Sequence, residues 1–237
     1  EENIQAGSYN ALGIVNSGIK NEADAAYAIL SDKLESATTE KHKIGILMGL
    51  SLAYAGSARA DLLELISPII VDSDNSIELQ AMASLSIGLI FCGTCDQDAA
   101  ESITQILLEK EEKDLEHSFT RIFALGLGLL YLGQQSLVET SLEVIKCLPH
   151  KNMADFVSLV METCAYAGSG NVLNIQKLLH VCAEHKDDEK ESTNQIAAVL
   201  GIALIAFGED IGQEMCLRTM NHLLQYGEPI IRRTVPL

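Results

Sequence analysis

Six apolar runs, each closing on a glycine, recur through this chain: ALGIVNSG to Gly18, GLSLAYAG to Gly56, SIGLIFCG to Gly93, GLGLLYLG to Gly133, ETCAYAGSG with its anchor at Gly168, and GIALIAFG to Gly208. The anchors are 38, 37, 40, 35 and 40 residues apart. Self-similarity at such a period marks units that cannot bury their apolar faces alone and must stack to do so. A single fold with one irregular core is thereby disfavoured, and an array is expected.

Each run is rich in small residues at fixed offsets. Seven residues before the anchors stand Ala11, Gly49, Ser86, Gly126, Met161 and Gly201; five before stand Gly13, Ser51, Gly88, Gly128, Thr163 and Ala203. Glycine inside a helix costs about 0.5–1 kcal/mol relative to alanine, so a repeated glycine needs an offsetting benefit. Close approach of neighbouring helices supplies one. Runs such as RIFALGLGLLYL, residues 121–132, are apolar nearly all round and predict buried inner helices. The anchor glycine is expected at C′, where a left-handed residue ends the helix.

A second, amphipathic segment follows each run: Ala23–Glu35, Ala60–Ile70, Asp98–Lys110, Ser136–Leu148, Val172–His185 and Gly212–Tyr226. In the third, Ile103, Ile106 and Leu107 share one side, while Asp98, Glu101, Ser102, Gln105 and Glu109 share the other. The expected fold is therefore all-α: a solenoid or toroid fragment of about six helix-turn-helix repeats. Their approximate bounds are 4–38, 39–75, 76–116, 117–150, 151–190 and 191–228, with a seventh starting at 229–237. The segment EHKDDEKEST, residues 184–193, reads as a charged surface loop, and KEEKDLE, residues 110–116, as the charged end of a helix. The missing initial Met and the truncated seventh unit suggest a piece of a longer protein.

The net charge of −17 disfavours nucleic acid and anionic membrane surfaces as partners. No apolar stretch is long enough to span a bilayer. Six scattered cysteines without a secretory signal suit a reducing setting, cytoplasmic and nuclear. Cys92 and Cys95 form a C-x-x-C, but no βαβ context supports a redox site and no mate supplies a zinc site. Cys92 occupies the repeat position held elsewhere by Ala55 and Leu132, which marks it as a packing residue. The six histidines fall at unrelated repeat positions, and no nucleophile elbow or phosphate loop occurs. Neither a metal, a cofactor nor an enzymatic activity is expected.

Charge is concentrated. Between Asp72 and Glu116 lie eleven acidic residues and two lysines, a local balance of −9. A charge run is most often plain solvation. Here the acids cluster over one repeat and its borders, which suits a partner with a basic rim around an apolar patch.

The runs CAYAGSGNVLNIQKLLH (Cys164–His180), ALIAFGEDIGQEMCLR (from Ala203), HLLQYGEPIIRRTVPL (to Leu237), LGIVNSGIKNEADAAYAILSD (Leu12–Asp32) and GLSLAYAGS (Gly49–Ser57) carry a resemblance to a known family. Together with the small-residue/YAG pattern they resemble proteasome/cyclosome repeats, and in particular the toroid of the large non-ATPase scaffold subunits of the proteasome regulatory particle. That resemblance implies a non-catalytic docking platform. Its expected partners are ubiquitin chains, the ubiquitin-like domains of shuttle factors, and the ATPase-ring and other regulatory-particle subunits. Carried over by position, it implies a site at Asp98 and Glu109 with Asp74 and Glu78 beside them, and Glu101 and Gln105 on the same helix. Where the family can have a third acid this chain has Gln105, which weakens the charge term. Asp61, Glu64, Glu139 and Glu143 would border the site. The family's deubiquitinase-docking site is not assigned within this sequence. The alternative expectation is a purely architectural scaffold.

Overall fold

A computed structural model describes residues 2–18, 24–184 and 192–237, apart from the side chains of Ser192 and Ile211. Among the described residues every regular element is helical. The chain divides into two compact units, residues 1–130 and 131–237. Within each, inner and outer helices alternate as the repeat pattern predicts, and the protein is an all-α helical-repeat solenoid fragment.

In the first unit the inner helices are α1 (Glu2–Val15), α3 (Glu40–Ala53), α5 (Ile77–Ile90) and α8 (Thr120–Leu130); the outer ones are α2 (Ala25–Ser36), α4 (Ala60–Val71) and α6 (Gln97–Glu109). A four-residue helix α7 (Glu112–Leu115) precedes α8. The charged segment 110–116 is thus not the end of α6, which stops when Lys110 turns extended. The core holds Leu47, Leu50, Ile66, Ile70, Ile87, Ile103, Leu107, Phe123 and Leu127, all fully buried.

In the second unit the inner helices are α10 (Lys151–Ala165) and α12 (Ser192–Ala206), with outer helices α11 (Val172–Ala183) and α13 (Asp210–Tyr226). The expected outer helix at 136–148 is instead a 3-10 turn, Gln135–Val138, followed by a short helix α9 (Glu139–Ile145). Gln135 has φ +49° at the repeat position of Ala58, Cys95 and Gly170, which regular outer helices follow, so the short α9 is a departure of this repeat alone. The chain ends with α14 (Pro229–Thr234), whose Ile231 joins the core of Ile175, Val199, Ile202 and Ile205. Most of the charged loop expected at 184–193 lies outside the described residues, and α12 already begins at Ser192.

The small-residue offsets have a direct geometric reading. A Cβ on Gly88, five before its anchor, would stand 2.5 Å from the carbonyl oxygen of Gly126, seven before the next anchor. Gly13 meets the Gly49 backbone in the same way, and a Cβ on Gly201 would stand 2.7 Å from Thr163 Cγ2. The −5 residue of one inner helix therefore packs on the −7 residue of the next. Glycine there lets helix backbones touch, and the van der Waals contact offsets its helix cost.

The anchor glycines have positive φ, from +68° to +87°. Gly208 stands at C′, two residues past the end of α12 at Ala206, but Gly56, Gly93 and Gly168 do not. The C-caps of α3, α5 and α10 are Tyr54, Phe91 and Tyr166, two residues earlier. Each helix ends in a four-residue turn, with Ser57 N donating to Tyr54 O at 3.0 Å and Ser169 N to Tyr166 O at 3.1 Å. The glycine takes the third position, which demands φ > 0. This turn then caps the following repeat. Gly56 N donates to Leu89 O, Gly93 N to Leu129 O, and Gly168 N to Leu204 O, at 2.9–3.0 Å. Two residues on, Ala58 N reaches Ile90 O and Cys95 N reaches Leu130 O, at 3.0 and 3.1 Å. These acceptors are last-turn carbonyls, groups that helix ends leave over, and Leu204 O also accepts from Phe207 N at 3.4 Å. A backbone hydrogen-bond ladder thus runs from repeat to repeat.

Candidate functional site

Asp96 starts α6 by accepting a hydrogen bond from Ala99 N at 2.9 Å, so this acid is a helix cap. Ala99, Ala100, Ile103, Ile106 and Leu107 then form the buried face. The 100° step per residue turns Asp98, Glu101, Gln105, Leu108 and Glu109 to the opposite side, where all five are exposed. Asp98 and Glu109 are eleven residues apart, about 16 Å along the axis. Gln105 Nε2 donates to Glu109 Oε1 at 2.8 Å, so the neutral residue of this stripe orients one of its acids.

Helix α4 lies alongside α6, with the Ser67 and Ser102 hydroxyls 3.2 Å apart. Around the wheel, Ser102 neighbours Asp98 and Glu109, so these two acids occupy the side of the stripe next to α4. Across from them α4 exposes Glu64, Pro68 and Val71. Val71 is 46% exposed and Leu108 40%, giving the acidic surface two apolar points. Asp61 differs from its neighbours. Arg59 grips it through Nε at 3.0 Å and Nη2 at 2.5 Å and also pairs with Asp24. These bonds hold the Asp61 carboxyl below its ordinary range, and its charge is compensated locally. Arg59 itself stacks on the rings of Tyr27 and Tyr54.

Asp74 lies in the turn between α4 and α5 and Glu78 in the first turn of α5; both are exposed. This turn is built by side chains: Asp72 Oδ1 accepts from Asp74 N, and Gln80 Nε2 donates to Ile70 O and Asp72 O. Because α6 runs back from the Gly93 turn, its Glu109 end lies toward this turn and Asp98 lies toward the other. The predicted residues thus form a line about the length of α6, not one tight cluster. Glu139 and Glu143 belong to the second unit, both exposed on α9, and Glu143 pairs with Lys146 at 2.5 Å.

Two features of this surface carry no signal in the local sequence. The Ser67–Ser102 contact fixing α4 against α6 spans 35 residues. Arg59, which pairs with Asp61, is shared with a second carboxylate, Asp24, 35 residues away. Burial pushes the Cys92 and Cys95 thiols up, which disfavours thiolate chemistry at the C-x-x-C. Cys95 has φ +54° and serves the inter-repeat ladder. Among the described residues no group of three or more His, Cys, Asp or Glu side chains could hold a metal ion, and no helix is long and apolar enough to cross a membrane.

No family profile matches the chain. Individual relatives do. It is 45% identical to the 26S proteasome regulatory subunit rpn-1 of Neurospora crassa and 47% identical to the 26S proteasome regulatory subunit rpn1 of Schizosaccharomyces pombe, over 100% of this chain and 27% of each relative. The 26S proteasome non-ATPase regulatory subunit 2 of Dictyostelium discoideum is 41% identical over 100% of this chain and 26% of its own length. The chain spans about a quarter of the length of these relatives. Matched from end to end, the chain belongs to the family of 26S proteasome regulatory, non-ATPase subunits.

Proposed function

We propose that the chain is a non-catalytic docking module of the proteasome regulatory particle that receives ubiquitin chains and the ubiquitin-like domains of shuttle factors on the outer surface of α4 and α6. The observation that carries this reading is the exposed line Asp98, Glu101, Gln105 and Glu109, set beside α4 with Val71 and Leu108 as apolar points. Ubiquitin presents an apolar patch rimmed by basic residues, the complement of such a surface. Asp74 and Glu78 extend the acidic field at the Glu109 end, and Glu64 borders it on α4. The chain's other partners are the ATPase ring and further regulatory-particle subunits, in the cytoplasm and nucleus.

Solvent-exposed charge pairs contribute about 1 kcal/mol or less each. Single-ubiquitin affinity is accordingly modest, salt weakens it, and linked ubiquitins gain by avidity. The test is a titration of ubiquitin into the isotope-labelled chain. Amide shifts are expected on α4 and α6, and Asp98→Arg with Glu109→Arg is expected to remove them. Shifts elsewhere, or binding retained in the double variant, refute the site. Absence of binding favours the architectural alternative, in which the repeats only join neighbouring subunits.

A further inference from the structure

We draw no further inference here: the strongest candidate, the apolar groove between α11 and α13 lined by Leu179, Cys182, Leu223 and Tyr226, carries nothing because no feature of the structure shows what covers it, its lining charges Arg218 and Glu228 being opposite in sign and Arg218 already facing Glu214 at 3.7 Å.

Discussion

Gly88→Ala and Gly7→Ala are the same chemical change on two inner helices, and the structure assigns them opposite signs. At Gly88 a new Cβ would stand 2.5 Å from Gly126 O and 2.7 Å from Gly126 Cα. Comfortable separation is about 3.5 Å, so α5 and α8 would have to part by about 1 Å. The obstacle is backbone and cannot rotate aside. Overpacking of this kind costs about 1–3 kcal/mol, and the upper half of that range fits a backbone obstacle. Replacing a helical glycine by alanine returns about 0.5–1 kcal/mol. The net expectation is a loss of about 1–2.5 kcal/mol. At Gly7 of α1 nothing lies within 4 Å of the added carbon, so only the gain of about 0.5–1 kcal/mol remains. Gly201→Ala should fall between them, because its obstacles are the Thr163 and Leu178 side chains. Urea unfolding followed by far-ultraviolet circular dichroism reads these as shifts of the midpoint at constant slope. A Gly88→Ala protein as stable as Gly7→Ala would refute the reading of inner-helix glycines as contact sites.

Ala58 is exposed at φ +52°, so Ala58→Gly relieves a left-handed strain of about 1 kcal/mol that partly cancels against added unfolded-state entropy; the expected thermal shift is zero to slightly positive, whereas Gly56→Ala at φ +68° should lower the melting temperature. Arg59 holds Asp61 below the ordinary value of 3.8, so the pair's contribution is present above that pH and is lost as pH falls through the lowered value. With Asp61 partly exposed the contribution is about 1 kcal/mol or less, and the thermal-stability gap between the native chain and Arg59→Met should be constant above about pH 4 and close below it. Burial pushes the Cys182 thiol up to about 11, so at mildly alkaline pH iodoacetamide should label exposed Cys147 first and Cys182 far more slowly, as peptide mass mapping would show.

The period of the glycine-ended runs made the all-α repeat fold legible, because each apolar run must find a neighbour of the same kind. Inner-helix contact at −5 and −7 was legible as well, since only close approach offsets repeated glycine. The amphipathic stripe of α6 is enough by itself to place Asp98, Glu101, Gln105 and Glu109 on one exposed face. The 3-10 start and short length of α9 were not legible, because residues 136–148 carry the same kind of amphipathic pattern as the segments that form full outer helices.

Local periodicity is carried by residues three or four apart, and for that reason the sequence alone determined most of the helical segments, though not the short α7 and α9, together with the apolar faces and where the acids collect. Contacts between residues some 35 positions apart belong to the stacking of repeats, and only the tertiary structure decided those. It joined Ser67 to Ser102 and set α4 beside the acids of α6. It tied Arg59 to Asp24 as well as to Asp61, so that one guanidinium serves two carboxylates. It turned Gly56, Gly93, Gly133 and Gly168 from helix-ending residues into donors that cap the helix of the next repeat.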